Sequence, residues 1–100
     1  MTRTEHLLVC LIEECAEVAH AASKGMRFGL SDQGPSENRT NGEAIAQEYK
    51  DVLAIIEMLE DEGVIERSHD THAIERKKAK VRHWMDYAES QGTLRKGDNQ

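Results

Sequence analysis

Leu7-Leu8-Val9-Cys10-Leu11-Ile12-Glu13-Glu14-Cys15-Ala16-Glu17-Val18-Ala19-His20-Ala21-Ala22 is the stretch that decides the fold class. Leu7, Leu8, Leu11, Ile12, Cys15, Val18, Ala19 and Ala22 recur in it at helical spacing. Thr2 followed by Glu5 offers a capping box just upstream. The pattern predicts a first helix from about Thr4 to Ser23, with Gly25 as its terminator or Met26 to Leu30 adding a further turn.

Working outward, Ser31 to Asn41 holds no apolar residue and reads as an exposed loop, long enough for a lid. Thr40 and Glu43 supply a second capping box. The helix behind it carries Ile45, Val52, Leu53, Ile55, Ile56 and Leu59, with Gly63 just beyond its end. A third helix is expected from Asp70 or Thr71, with Ile74, Val81, Trp84, Met85 and Ala88 on one side and a basic face opposite, stopped by Gly92. His69 and His72 read as a pair at its start. Residues 1–92 are expected to form a single helical domain and 93–100 a loose tail. With 100 residues and 4% aromatics, the fold class expected is all-α, an antiparallel helical bundle whose small core a second subunit completes.

The formal charge of -6 and the lack of an aromatic-studded basic patch argue against a nucleic-acid polymer as partner. A free nucleotide stays open, because a bound cation lets an acidic protein hold a polyanion. Cys10 and Cys15 are too far out of phase on one helix to pair and read as reduced core residues. No apolar run would span a membrane and no signal-peptide pattern follows Met1, so a cytoplasmic protein is expected.

The chemistry lies where the helical pattern is interrupted. Leu7, Leu11, Glu14, Val18 and Ala21 form the stripe that should face the core, and Glu14 stands inside it. Ile45, Glu48, Val52, Ile55 and Leu59 repeat the anomaly with Glu48. Glu17 and Asp51 each follow their intruder at i+3, so each helix presents a carboxylate pair on one face. Four like charges gathered at a core face need raised pKa values or neutralising cations. Carboxylates alone, without histidine or thiolate, suit Mg²⁺ or Mn²⁺ better than zinc. The bland alternative is surface acids on wide amphipathic helices, which fits Glu57, Glu60, Asp61 and Glu62.

Glu13-Glu14-Cys15-Ala16-Glu17 and Glu48-Tyr49-Lys50-Asp51 read as E-E-x-x-E followed by E-x-x-D. With Ser23-Lys24, Arg27-Phe28-Gly29 and Leu53 to Leu59, the first two thirds of the chain resemble the MazG-like, all-alpha nucleoside triphosphate pyrophosphohydrolases. That resemblance implies Mg²⁺-dependent cleavage between the α and β phosphates, giving a nucleoside monophosphate and pyrophosphate, in a homodimer or homotetramer. It makes Glu14, Glu17, Glu48 and Asp51 the metal ligands, and it adds Glu13, beside the pair, to the catalytic group with Glu14 and Glu17. Its compact phage and bacterial branch implies a purine deoxynucleoside triphosphate as substrate, in control of the nucleotide pool. The segment from Met26 to Asn41 is long for the family, so base recognition is not carried over.

Lys24 and Arg27 are expected to neutralise the phosphates, with the helix dipole as the alternative role for Lys24. Asn38 and Asn41 could hydrogen-bond a base or sugar, although loop asparagines commonly serve turns and caps. Lys77 and Lys80 are the candidates within the basic run of the third helix, a run that otherwise reads as a solvated face. Two other classes stay in view. Glu17-Val18-Ala19-His20 has the E-x-x-H spacing of di-iron bundles but lacks a second copy. A non-enzymatic helical interaction module would use the carboxylates only for salt bridges.

Overall fold

Both capping boxes form in the computed structural model, which describes residues 1–68 and 70–97. The Thr2 hydroxyl accepts the Glu5 N–H at 3.1 Å while the Glu5 carboxylate accepts the Thr2 N–H at 2.9 Å, opening α1 (Arg3–Phe28). Thr40 and Glu43 do the same at 3.0 and 2.8 Å, opening α2 (Asn41–Asp61). Each box satisfies two backbone N–H groups that a helix start leaves without partners. The hydrogen bonds hold both Glu5 and Glu43 below the usual carboxylate range, led by the backbone bond from the threonine.

The first helix runs past Ser23 and takes the further turn that Met26 to Leu30 offered. It passes through Gly25 to Phe28, and the residue in the left-handed region is Gly29, at φ 98°, whose N–H returns to the Gly25 carbonyl at 2.9 Å. Gly25 is a packing residue. A Cβ there would stand 2.9 Å from Leu30 Cδ2 and 3.8 Å from Ile45 Cδ1, so the missing side chain lets Leu30 fold back over the helix.

The connection back to α2 is pinned at both ends. Asn41 N–H donates to the Asp32 carbonyl and Gly42 N–H to the Leu30 carbonyl, each at 2.9 Å. Ile45 near the start of α2 lies by Gly25 near the end of α1, and Arg3 at the start of α1 pairs with Glu62 at the end of α2. The two helices are therefore antiparallel. Of the predicted stripes, Leu7, Ala21 and Leu59 are buried and Leu11, Val18, Ile45, Val52 and Ile55 half-buried; Ala44, outside them, is buried too, whereas Leu8, Ile12 and Leu53 of the wider helical pattern are exposed. Leu59, 1% exposed, anchors this small core, and burying such a side chain stabilises by about 2–3 kcal/mol. Cys15 is exposed and Cys10 half-buried, both as free thiols. Cys15 lies at the edge of the stripe, lining a surface groove with Val18, Tyr49 and Val52.

The chain divides into two compact units, residues 1–67 and 68–100. The second contains α3 (Thr71–Ser90), capped by Asp70, whose carboxylate accepts the His72 N–H at 3.0 Å. None of its residues is buried, including the apolar side expected to pack. Trp84, 54% exposed, instead sits edge-on to His83 and Tyr87. Of the expected loose tail, Thr93 and Leu94 hydrogen-bond back to the Ala88 carbonyl, while residues 98–100 lie outside the described residues, as does His69. Among the described residues the architecture is three helices without a strand, and no helix is long and apolar enough to cross a membrane.

Candidate metal centre

The antiparallel pairing brings the interrupted stripes together. One carboxylate oxygen each from Glu14 on α1 and from Glu48 and Asp51 on α2 lie within 4.8 Å of one another. Ligand atoms about 2.1–2.5 Å from a hard cation stand roughly 3–5 Å apart, so the set spans the distance such an ion needs. All three residues are half-buried. Removal from water pushes the Glu14 carboxyl above its usual range, and repulsion from Asp51, Glu48, Glu17 and Glu13 adds to it in that order.

Its neighbours are oriented by other side chains. Gln47 Nε2 donates to Asp51 Oδ1 at 3.1 Å from one turn earlier. Arg39 Nη2 donates to Glu48 Oε1 at 3.1 Å, with the Glu48 side chain 12% exposed. A guanidinium thus already neutralises one member of the cluster.

Glu17 does not join the three-carboxylate group. It is exposed and lines, with Glu48, a cavity of about 120 Å³ whose walls include His20, Lys24, Arg39 and Thr40. Glu13 is also exposed, beside Glu14, and contributes to its repulsion. Lys24 faces the same cavity and pairs with Glu37 at 3.6 Å. Asn41 is in the wall as well, but it is 3% exposed and its side-chain amide donates to the carbonyls of Gly29 at 2.9 Å and Lys24 at 3.4 Å. Those bonds make it the staple between the end of α1 and the start of α2. Arg27 is exposed with its guanidinium 4.8 Å above the Phe28 ring, and Asn38 is exposed in the loop. Lys77 and Lys80 are exposed on α3, in the other unit.

Arg39 is the residue the sequence reading missed. It stands in a polar loop immediately before the Thr40 cap, where no periodicity applies, and the only hint was an arginine just upstream of the helix carrying E-x-x-D. The acids at the far end of α2 are engaged elsewhere, Glu60 with Arg67 at 3.8 Å, Asp61 also with Arg67, and Glu62 with Arg3. No protein-family model, curated protein or solved structure matches the chain, which leaves the geometry of these residues to carry the functional reading.

Proposed function

We propose that the chain is a MazG-like nucleoside triphosphate pyrophosphohydrolase, dependent on Mg²⁺ or Mn²⁺, acting on a purine deoxynucleoside triphosphate in the cytoplasm. The observation that carries this reading is the convergence of Glu14, Glu48 and Asp51, drawn from E-E-x-x-E and E-x-x-D on two helices, to within 4.8 Å. The donor set fits a hard divalent ion in charge, in oxygen-only chemistry and in spacing. When bound, such an ion supplies charge neutralisation at phosphate oxygens and acidifies water.

The chain's own residues divide the remaining work. Glu14, Glu48 and Asp51 would hold the cation, while Glu17, in the cavity wall, faces the substrate side. Hydrolysis forms a bond from a water oxygen to phosphorus, breaks the bridge between the α and β phosphates, and needs a carboxylate to take the water's proton. Glu17 or Glu13, exposed beside the cluster, serves that step. Lys24, with Arg27 nearby, meets the phosphate charge. The apolar side chains of Leu8, Val9, Ile12, Tyr49 and Leu53 left on the surface support a homodimer or homotetramer, in which a second copy covers them.

The same exposed side chains favour a second reading, a helical interaction module without turnover. Melting curves with and without Mg²⁺ separate the two. A metal centre raises Tm as Mg²⁺ is added, whereas a module melts at the same temperature throughout. For the hydrolase, Glu17→Gln and Asp51→Asn each lower kcat by about 10²-fold or more while the folded state is retained, because each removes one charge from a repulsive group. Full turnover in both variants would exclude the site.

A further inference from the structure

We propose that Arg39 is an exchangeable counter-cation of the carboxylate centre: a divalent cation displaces it from Glu48, and its guanidinium then binds the polyphosphate in the adjoining cavity. The inference rests on the metal-centre reading and adds a coupling between the two ligands.

Glu48 carries the argument because it belongs to two sites at once. It supplies an oxygen to the three-carboxylate group, and its Oε1 accepts from Arg39 Nη2 at 3.1 Å. Its side chain is 12% exposed against 35% for Arg39, so the guanidinium is the more solvent-accessible partner of the pair. Both residues line the cavity of about 120 Å³, walled also by His20, Lys24 and Thr40.

The backbone following Arg39 is tied down. Arg39 directly precedes the Thr40 cap, and the next residue, Asn41, is tied to the Gly29 and Lys24 carbonyls. Exchange therefore requires only rotation of a long side chain, which a flexible stem permits within the width of the cavity. The second cation of the cavity is arranged alike, with Lys24 paired to Glu37 at 3.6 Å. Each positive group that could receive an anion is thus matched by a carboxylate, and one of those carboxylates is part of the cation centre.

Two consequences have opposite signs. The guanidinium and a divalent cation compete for Glu48, so Arg39 weakens cation binding. Once the cation neutralises Glu48, the guanidinium has lost its partner and the anion gains it, so cation and polyphosphate bind cooperatively, with the coupling equal in both directions. A salt bridge that merely braces the loop would produce neither effect.

The test is calorimetric titration of the full chain with Mn²⁺, then of the Mn²⁺-saturated protein with manganese tripolyphosphate, for wild type, Arg39→Ala, Arg39→Lys and Glu14→Gln. Arg39→Ala is expected to bind Mn²⁺ about tenfold more tightly and tripolyphosphate about tenfold more weakly, with Arg39→Lys between it and wild type on both. Unchanged or weaker Mn²⁺ binding in Arg39→Ala, or tightening without loss of tripolyphosphate affinity, overturns the exchange. If Glu14→Gln abolishes Mn²⁺ binding while Arg39→Ala behaves as wild type, only the exchange falls. Should neither wild type nor Arg39→Ala bind Mn²⁺, the metal centre falls with it.

Discussion

α1 and α3 are both long helices with an apolar stripe and a good N-cap, yet one buries its stripe and the other does not. α1 meets α2 along a matched, antiparallel face in which Leu7, Ala21, Ala44 and Leu59 are buried. α3 has Ile74, Val81, Trp84 and Met85 on its surface, and its pairs are local, such as Lys78 with Glu75 at 3.2 Å and Arg76 with Asp70 at 3.5 Å. Periodicity specifies a helix in both cases; burial additionally needs a partner face of the same length. The functional contrast follows from the packing. Where the two stripes of α1 and α2 are pressed together, Glu14 is half-buried, loses water and has other acids gathered around it.

The largest test of this contrast is truncation on each side of it. Leu59→Ala removes the most buried side chain of the α1–α2 unit and is expected to cost about 2–5 kcal/mol. Ile74→Ala, at a residue 59% exposed, is expected to change stability by no more than about 0.5 kcal/mol. Urea denaturation measures both. Equal costs would mean that α3 is packed as tightly as α2, and the contrast would collapse.

A smaller effect sharpens the account of the helix starts. Thr40→Ala removes the hydroxyl that accepts the Glu43 N–H and is expected to cost about 1 kcal/mol, with the Glu43 carboxyl moving only partway back toward its usual range in an NMR titration, because the bond from the backbone N–H of residue 40, the larger cause, is kept. Full return of Glu43 to its usual range would show that the hydroxyl, rather than the backbone N–H, holds it down.

The smallest effect is the pH dependence of stability, where the caps and the cluster pull in opposite directions. Glu5 and Glu43 titrate below their usual range, so their contribution is complete above that range and is lost as pH falls through their depressed values. Glu14 titrates above its usual range, so the fold is favoured while Glu14 is protonated and declines as pH rises through its raised value. Denaturation across the weakly acidic range should show that decline in wild type and lose it in Glu14→Gln. Mg²⁺, which binds the ionised form, should also remove it.

Much of this was legible in the chain. The two capping boxes, the stripes through Glu14 and Glu48, and the loop between the helices follow from short-range chemistry, and the structure reproduces each. The sequence leaves Gly25 open between a stop and a further turn, and the structure takes the further turn because Leu30 closes over the glycine. Arg39 was invisible because its partner lies nine residues away across a turn, with no repeating pattern to connect them. The exposure of α3 was equally hidden, since a periodic stripe does not state which surface, if any, receives it. Of the four acids read as one set, three converge and Glu17 turns to the cavity instead, a distinction that depends on the rotation of α1 against α2 rather than on spacing.

The central claim is that the carboxylates of α1 and α2 form a centre that hydrolyses nucleoside triphosphates. The most direct measurement is incubation of the protein with the common ribo- and deoxyribonucleoside triphosphates and Mg²⁺, followed by chromatographic separation of the products. The account predicts monophosphate and pyrophosphate from one or two of them, most of all a purine deoxynucleotide, and none when Mg²⁺ is chelated. Diphosphate and phosphate as products, or no turnover of any substrate, would contradict it.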